Sequence, residues 1–153
     1  MVAYIKKFFM PLVGLTIIII GVLVYINLFG IETNAGNEER PVGTIISSRR
    51  LKEMSGSLPC RGDVELIETN NGNYVFYISE AYIDAMPANI YLSNKTSFRT
   101  QLESFGMNVD LGQLPHYAGN FSVSIPDTVD VSNYNTVVIV HGISKAIQGY
   151  ARI

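Results

Sequence analysis

Between Phe8 and Phe29 the chain carries no charge, and the run FFMPLVGLTIIIIGVLVYINLF is dominated by apolar residues. A helix over residues 8–29 is about 33 Å long at 1.5 Å per residue, enough to cross about 30 Å of hydrocarbon. Pro11 falls in its first turn, where a missing N–H costs little. Tyr25 and Asn27 fall near the far end, where polar tips reach interfacial water. The pattern predicts a single transmembrane anchor. A cleaved signal peptide is the rival reading, but its apolar core runs only about 7–15 residues before a small-x-small site. Here the run is longer, and the following GIETNAG is a poor version of that site.

Lys6 and Lys7 precede the run, whereas Glu32, Glu38 and Glu39 are the first charges beyond it. The positive-inside bias therefore places residues 1–7 in the cytoplasm and the rest of the chain outside. Residues 30–42 are polar and rich in Gly and Asn, which reads as a flexible tether to a domain over residues 43–153.

Beyond the tether the hydrophobic period becomes two. Thr44–Ile46 is an expected first strand. In Asp63–Glu68 the apolar Val64 and Leu66 alternate with charges, as in a strand with one wet face. Asn71-Gly72 follows as a hairpin signal, both residues tolerating φ > 0, and Asn73–Ile78 is the returning arm. Asn89–Leu92 reads as another strand. Phe98, Leu102 and Phe105 recur at i, i+4 and i+7, which predicts a short amphipathic helix within residues 96–105. Phe121, Val123 and Ile125 alternate with serines up to Pro126, and Thr136–Val140 is apolar on both faces, an interior strand. The final segment places Ile147, Gly149, Ala151 and Ile153 on one face and Gln148, Tyr150 and Arg152 on the other. Short, evenly spaced strands with Gly, Asn and Pro turns predict an all-β sandwich.

Charge narrows the partners. All 13 acidic residues and nine of the 11 basic ones follow the apolar run, a net charge of −4. That balance lacks the clustered cations that nucleic acid requires. The bilayer, through residues 8–29, is the partner the pattern implies. Cys60 is the only cysteine, which rules out an internal disulfide and a multi-thiolate zinc site. No hydrolase, phosphate-loop or dinucleotide motif is present.

Few residues are left to carry chemistry. His141 ends the most hydrophobic strand on the face of Val137 and Ile139; it reads either as a partly buried imidazole bonded to backbone or as a metal or redox ligand. Cys60 reads as a small buried hydrophobe, or as a thiol activated by neighbouring Arg61. His116 is expected to be exposed in a turn. Arg61-Gly62-Asp63 spells an adhesion tripeptide, a short match in which Asp63 is expected to begin a strand.

Other residues carry a resemblance. Leu111-Gly112-Gln113-Leu114, Gly119, Ile125-Pro126, Val129-Asp130-Val131, Tyr134, Thr136–Val140 and Gly149-Tyr150-Ala151 follow one another in the order and spacing of the DM-thirteen family. Pro59, Gly62 and Ile90–Ser93 fit its upstream elements. From about Gly43 to Ile153 the chain resembles these electron-transfer-type domains, found alongside DOMON-type β-sandwiches. The resemblance implies a β-sandwich and a redox-related role. It departs where the family has Trp-Cys, here Val140-His141, and where the family has His before Pro, here Leu58. Two expectations follow: a redox-related domain with His141 in the thiol's place, or a non-catalytic module that binds an extracytoplasmic protein or small molecule. Neither names a cofactor.

Overall fold

The computed structural model describes residues 35–85 and 87–153. The expected cytoplasmic segment 1–7 and anchor 8–29 lie outside the described residues, among which no helix is long and apolar enough to cross a membrane. Ten strands follow in order: β1 Ala35–Asn37, β2 Gly43–Arg50, β3 Lys52–Glu53, β4 Cys60–Thr69, β5 Tyr74–Ile83, β6 Ala88–Ser93, β7 Asn108–Gln113, β8 Ala118–Ser124, β9 Thr136–His141 and β10 Ile147–Arg152. A 3-10 turn, Val131–Asn133, precedes β9 and is capped by Asp130. The architecture is all-β, in two five-stranded sheets ordered β1-β8-β5-β4-β2 and β3-β10-β9-β6-β7.

Alternation builds the space between the sheets. Val64 and Leu66 of β4, Phe76 and Ile78 of β5, and Phe121 and Val123 of β8 meet Ile90, Leu92, Val137, Ile139 and Ala151 of the second sheet in one buried cluster. The β4–β5 hairpin forms where Asn-Gly predicts it, with Thr69 N–H donating to the Asn73 carbonyl at 2.8 Å. Only Gly72 takes positive φ (+81°), not Asn71 as well, and the last paired residues are Glu68 and Tyr74, so the loop is longer than a two-residue turn.

Residues 35–37, expected in the tether, instead form β1, which pairs in parallel with β8. From β1 the chain must pass four strand spacings to reach β2, about 19 Å at 4.8 Å each. The six steps from Asn37 to Gly43 cover about 20 Å only if extended. The crossing runs over one row of the first sheet. Glu38 accepts from Ser122 N–H (2.8 Å), the Glu38 carbonyl accepts from the Tyr77 hydroxyl (3.4 Å), and Arg40 pairs with Glu65 (2.6 Å). Ser122, Tyr77 and Glu65 are register partners across β8, β5 and β4. Gly119, at φ +81°, lets β1 approach: a Cβ there would collide with the Gly36 carbonyl oxygen.

The second sheet is covered on both faces. Val138 and Val140 point away from the inter-sheet core into a cluster with Met54, Tyr91, Phe98, Ile147 and Tyr150. What covers them is the 94–107 segment, which holds no helix. Phe98 and Phe105 turn down onto the sheet, with ring centroids 5.2 Å (Phe98–Tyr150) and 5.3 Å (Phe105–Tyr91) apart, while Leu102 is 79 % exposed. Long-range bonds to its carbonyls replace the helical ladder: the Gln101 carbonyl accepts from Ile147 N–H (2.7 Å), and the Phe105 carbonyl from the Ser93 hydroxyl.

A bulge between Ile147 and Gly149 also revises the last strand. Ile147 shares the outer cluster with Tyr150, while Ala151 faces the inner core, so the single alternation expected from 147 to 153 is broken. Gln148 anchors the bulge, its Oε1 accepting from Leu58 N–H (3.1 Å) and its Nε2 donating to the Ala146 carbonyl (3.0 Å).

Candidate functional site

The two expected redox positions are both occupied by structural duties. Cys60 begins β4 and is fully buried in the inter-sheet core. Burial, reinforced by the nearby Glu53 carboxylate, pushes its thiol up to about 12. A low-pKa, accessible thiolate requires the opposite surroundings, and Arg61 supplies none: its Nε lies 3.2 Å from Glu53. Space around the sulfur is also taken, since a Cβ at Gly149 would lie 3.0 Å from Sγ.

His141 is half-buried at the rim, where β9 ends. The turn that follows returns on it: its carbonyl accepts from Lys145 N–H and its N–H donates to the Ala146 carbonyl, both at 2.9 Å. Its Nδ1 accepts from Ser144 N–H (3.1 Å) and lies 2.9 Å from the Ser144 hydroxyl. In the neutral ring this fixes the proton on Nε2. Cys60 and His141 belong to strands of opposite sheets. Among the described residues no three His, Cys, Asp or Glu side chains gather as a metal site.

His116 is half-buried, not exposed, its ring centroid 6.0 Å from that of Phe121. Arg61-Gly62-Asp63 lies inside β4 at a bulge, with Asp63 past its start. Both charges are paired within the domain, Arg61 with Glu53 and Asp63 with Arg50 at 3.3 Å. The tripeptide is not displayed on a loop.

The opposite end of the sandwich is open. From Cys60 to Leu66 the six steps along β4 span about 20 Å. There Ile46, Leu66, Tyr74, Val131, Tyr134 and Ile153 line an apolar cleft of about 370 Å³, with Ser132 and Asn135 at its margin. Its lower wall is the inter-sheet core, against which Tyr74, Val131, Tyr134 and Ile153 pack. One wall is β2, the longest edge strand of either sheet, eight residues with no strand on its outer side among the described residues. Ile45 and Ile46 are exposed on it, and a bulge between Ile45 and Ser47 separates their pairing with β4. Sequence reading identified Thr44–Ile46 as a strand but not as an edge. The available sign was two successive isoleucines without polar alternation.

Comparison with protein-family models, with curated proteins and with solved structures found no match.

Proposed function

We propose that the chain is a membrane-anchored binding module without catalytic chemistry, held by residues 8–29 with its β domain on the extracytoplasmic side. Its binding site is the β2 edge together with the apolar cleft beside it. The occupant is an extended segment of a partner protein that adds a strand to β2 and sends a bulky apolar side chain into the cleft.

The observation that carries this reading is the coincidence of an eight-residue open edge with a side-chain-sized apolar cleft. Strand addition draws affinity from main-chain hydrogen bonds and specificity from pockets that accept alternate side chains. Natural proteins blunt long edges with charge or bulges to avoid unwanted pairing. β2 carries one bulge, between Ile45 and Ser47, but its arginines are confined to its last two positions, and Ile45 and Ile46 remain uncovered. The redox role implied by the family resemblance finds no comparable support, because the Cys60 thiol is buried and held protonated and His141 is committed to its turn.

Full-length protein in neutral detergent would be screened against ten-residue peptides with Phe or Leu at alternate positions, and against versions interrupted by proline. Binding should require an unbroken strand and should be lost in Ile46→Asp while the melting temperature changes little. Failure of every peptide to bind, or binding that survives Ile46→Asp, would overturn the proposal.

A further inference from the structure

A second concavity, sharing no lining residue with the apolar cleft, is lined by four cations among its seven residues. The chain leaves the first sheet at Arg50 and enters the second at Lys52, with buried Leu51 as the corner, its N–H donating to the Gly62 carbonyl at 2.9 Å. That short crossing brings Arg49, Arg50 and Lys52 alongside the end of β10. With Arg152, Tyr150, Ala151 and Ser97 they line a cleft of about 300 Å³, and none of these lining residues is a carboxylate. Four of the nine cations that follow the apolar run thus gather in one place, although acidic residues outnumber them in that part of the chain.

The cations are positioned rather than loosely displayed. Arg152 Nε donates to the Thr96 carbonyl at 2.9 Å, leaving its terminal nitrogens for another partner. The Lys52 ammonium lies 5.7 Å from the centroid of the Tyr150 ring. Arg49 Nη1 donates to the Ser48 carbonyl at 2.9 Å, and Arg50 is steered by Asp63, 3.3 Å from its Nε. Gathering like charges around one hollow raises the free energy of the empty domain, a cost that a bound anion reverses. Guanidinium groups match the oxygens of tetrahedral oxyanions two at a time, and the hydroxyls of Ser97 and Tyr150 can donate as well.

We propose that this cleft is a binding site for a phosphate-type oxyanion carrying at least two negative charges. A soluble phosphate ester and the headgroup of an anionic phospholipid present the same chemistry, and the experiment separates them. Full-length protein in neutral detergent at low salt would be titrated calorimetrically with pyrophosphate, with a sodium chloride titration as the ionic control. Saturable binding is expected, weakened about tenfold by each of Arg49→Gln, Lys52→Gln and Arg152→Gln. Lys145→Gln, outside the cleft, should change it less than twofold, and Ile46→Asp should leave it unaltered. Circular dichroism melts would establish that the variants are folded. In a second arm, micelles doped with phosphatidylglycerol would replace pyrophosphate. Binding confined to that arm, with the same variant pattern, assigns the site to a lipid headgroup. Absence of binding in both arms, or equal weakening by Lys145→Gln, would overturn the proposal. Loss on Ile46→Asp would refute the location while leaving the peptide reading to its own screen.

Discussion

Replacing Phe98 by alanine tests whether the 94–107 segment is a fixed cover or a dispensable loop. Phe98 is 6 % exposed, edge-on to Tyr150 at 5.2 Å and to Phe105 at 6.5 Å, with the Lys95 ammonium 5.6 Å from its ring centroid. A buried phenylalanine removes roughly 200 Å² from water, which at about 25 cal/mol per Å² sets an upper limit of about 5 kcal/mol. The truncated loop can settle partly onto the sheet, so a loss of about 3 kcal/mol is expected. For a domain of about 120 residues that corresponds to a melting temperature lower by roughly 10 °C. Leu102→Ala is the matched control. It stands at helical spacing from Phe98 but is 79 % exposed, so it should shift stability by less than about 0.5 kcal/mol. Chemical denaturation of both variants, followed by circular dichroism, gives the comparison. Equal losses for Phe98→Ala and Leu102→Ala would mean that the segment is a helix packing both residues, and would refute the extended cover described above.

Two further outcomes follow from the titrating groups. Hydrogen bonds from the Lys95 ammonium and then from Arg99 N–H hold the Glu103 carboxyl down at about 2, from an ordinary 4.5. Its folded value lies below its unfolded one, so its stabilisation is complete above pH about 4.5 and disappears as the pH falls toward 2. Glu103→Gln should flatten that part of the stability–pH curve and leave the neutral region's slope unchanged; an unaltered acid limb in urea titrations would contradict this. For Cys60, a thiol pushed up to about 12 holds roughly a thousandfold less thiolate at pH 8 than an ordinary one. An aromatic disulfide reagent should therefore label native protein only as fast as the domain opens, with the rate rising in denaturant; rapid labelling without denaturant would be incompatible with the buried position.

The strands that the sequence announces are those with one wet face. Val64 and Leu66 against Asp63 and Glu65, or Phe121 and Val123 against serines, declare both the strand and the side that faces inward, and those side chains do form the inter-sheet core. Thr136–Val140 likewise announces two covered faces, which it has. What covers the second face was illegible because the cover is irregular. Phe98 and Phe105 need only reach the sheet, so their i, i+7 spacing reflects where the loop touches down rather than a helical turn. β1 was hidden for a related reason: Ala-Gly-Asn has little strand propensity, and it pairs because Gly36 and Gly119 permit close approach, a condition set by β8 far along the chain. The candidate sites share this non-local origin. Ile46, Tyr134 and Ile153 belong to three separate segments and converge only because the middle of β2 lies beside the start of β9 and the end of β10. Arg49, Lys52 and Arg152 converge only because Leu51 turns the chain from one sheet to the other. His141 and Cys60 drew attention as isolated reactive residue types. Their partners, a serine three residues on and a glycine on another strand, turn one into a turn anchor and the other into core packing. In this domain, chemistry read from residue type alone points to Cys60 and His141, whereas the exposed apolar edge and the clustered positive charge lie elsewhere. Recognition, which needs accessible surface, therefore falls to side chains that look ordinary in the sequence.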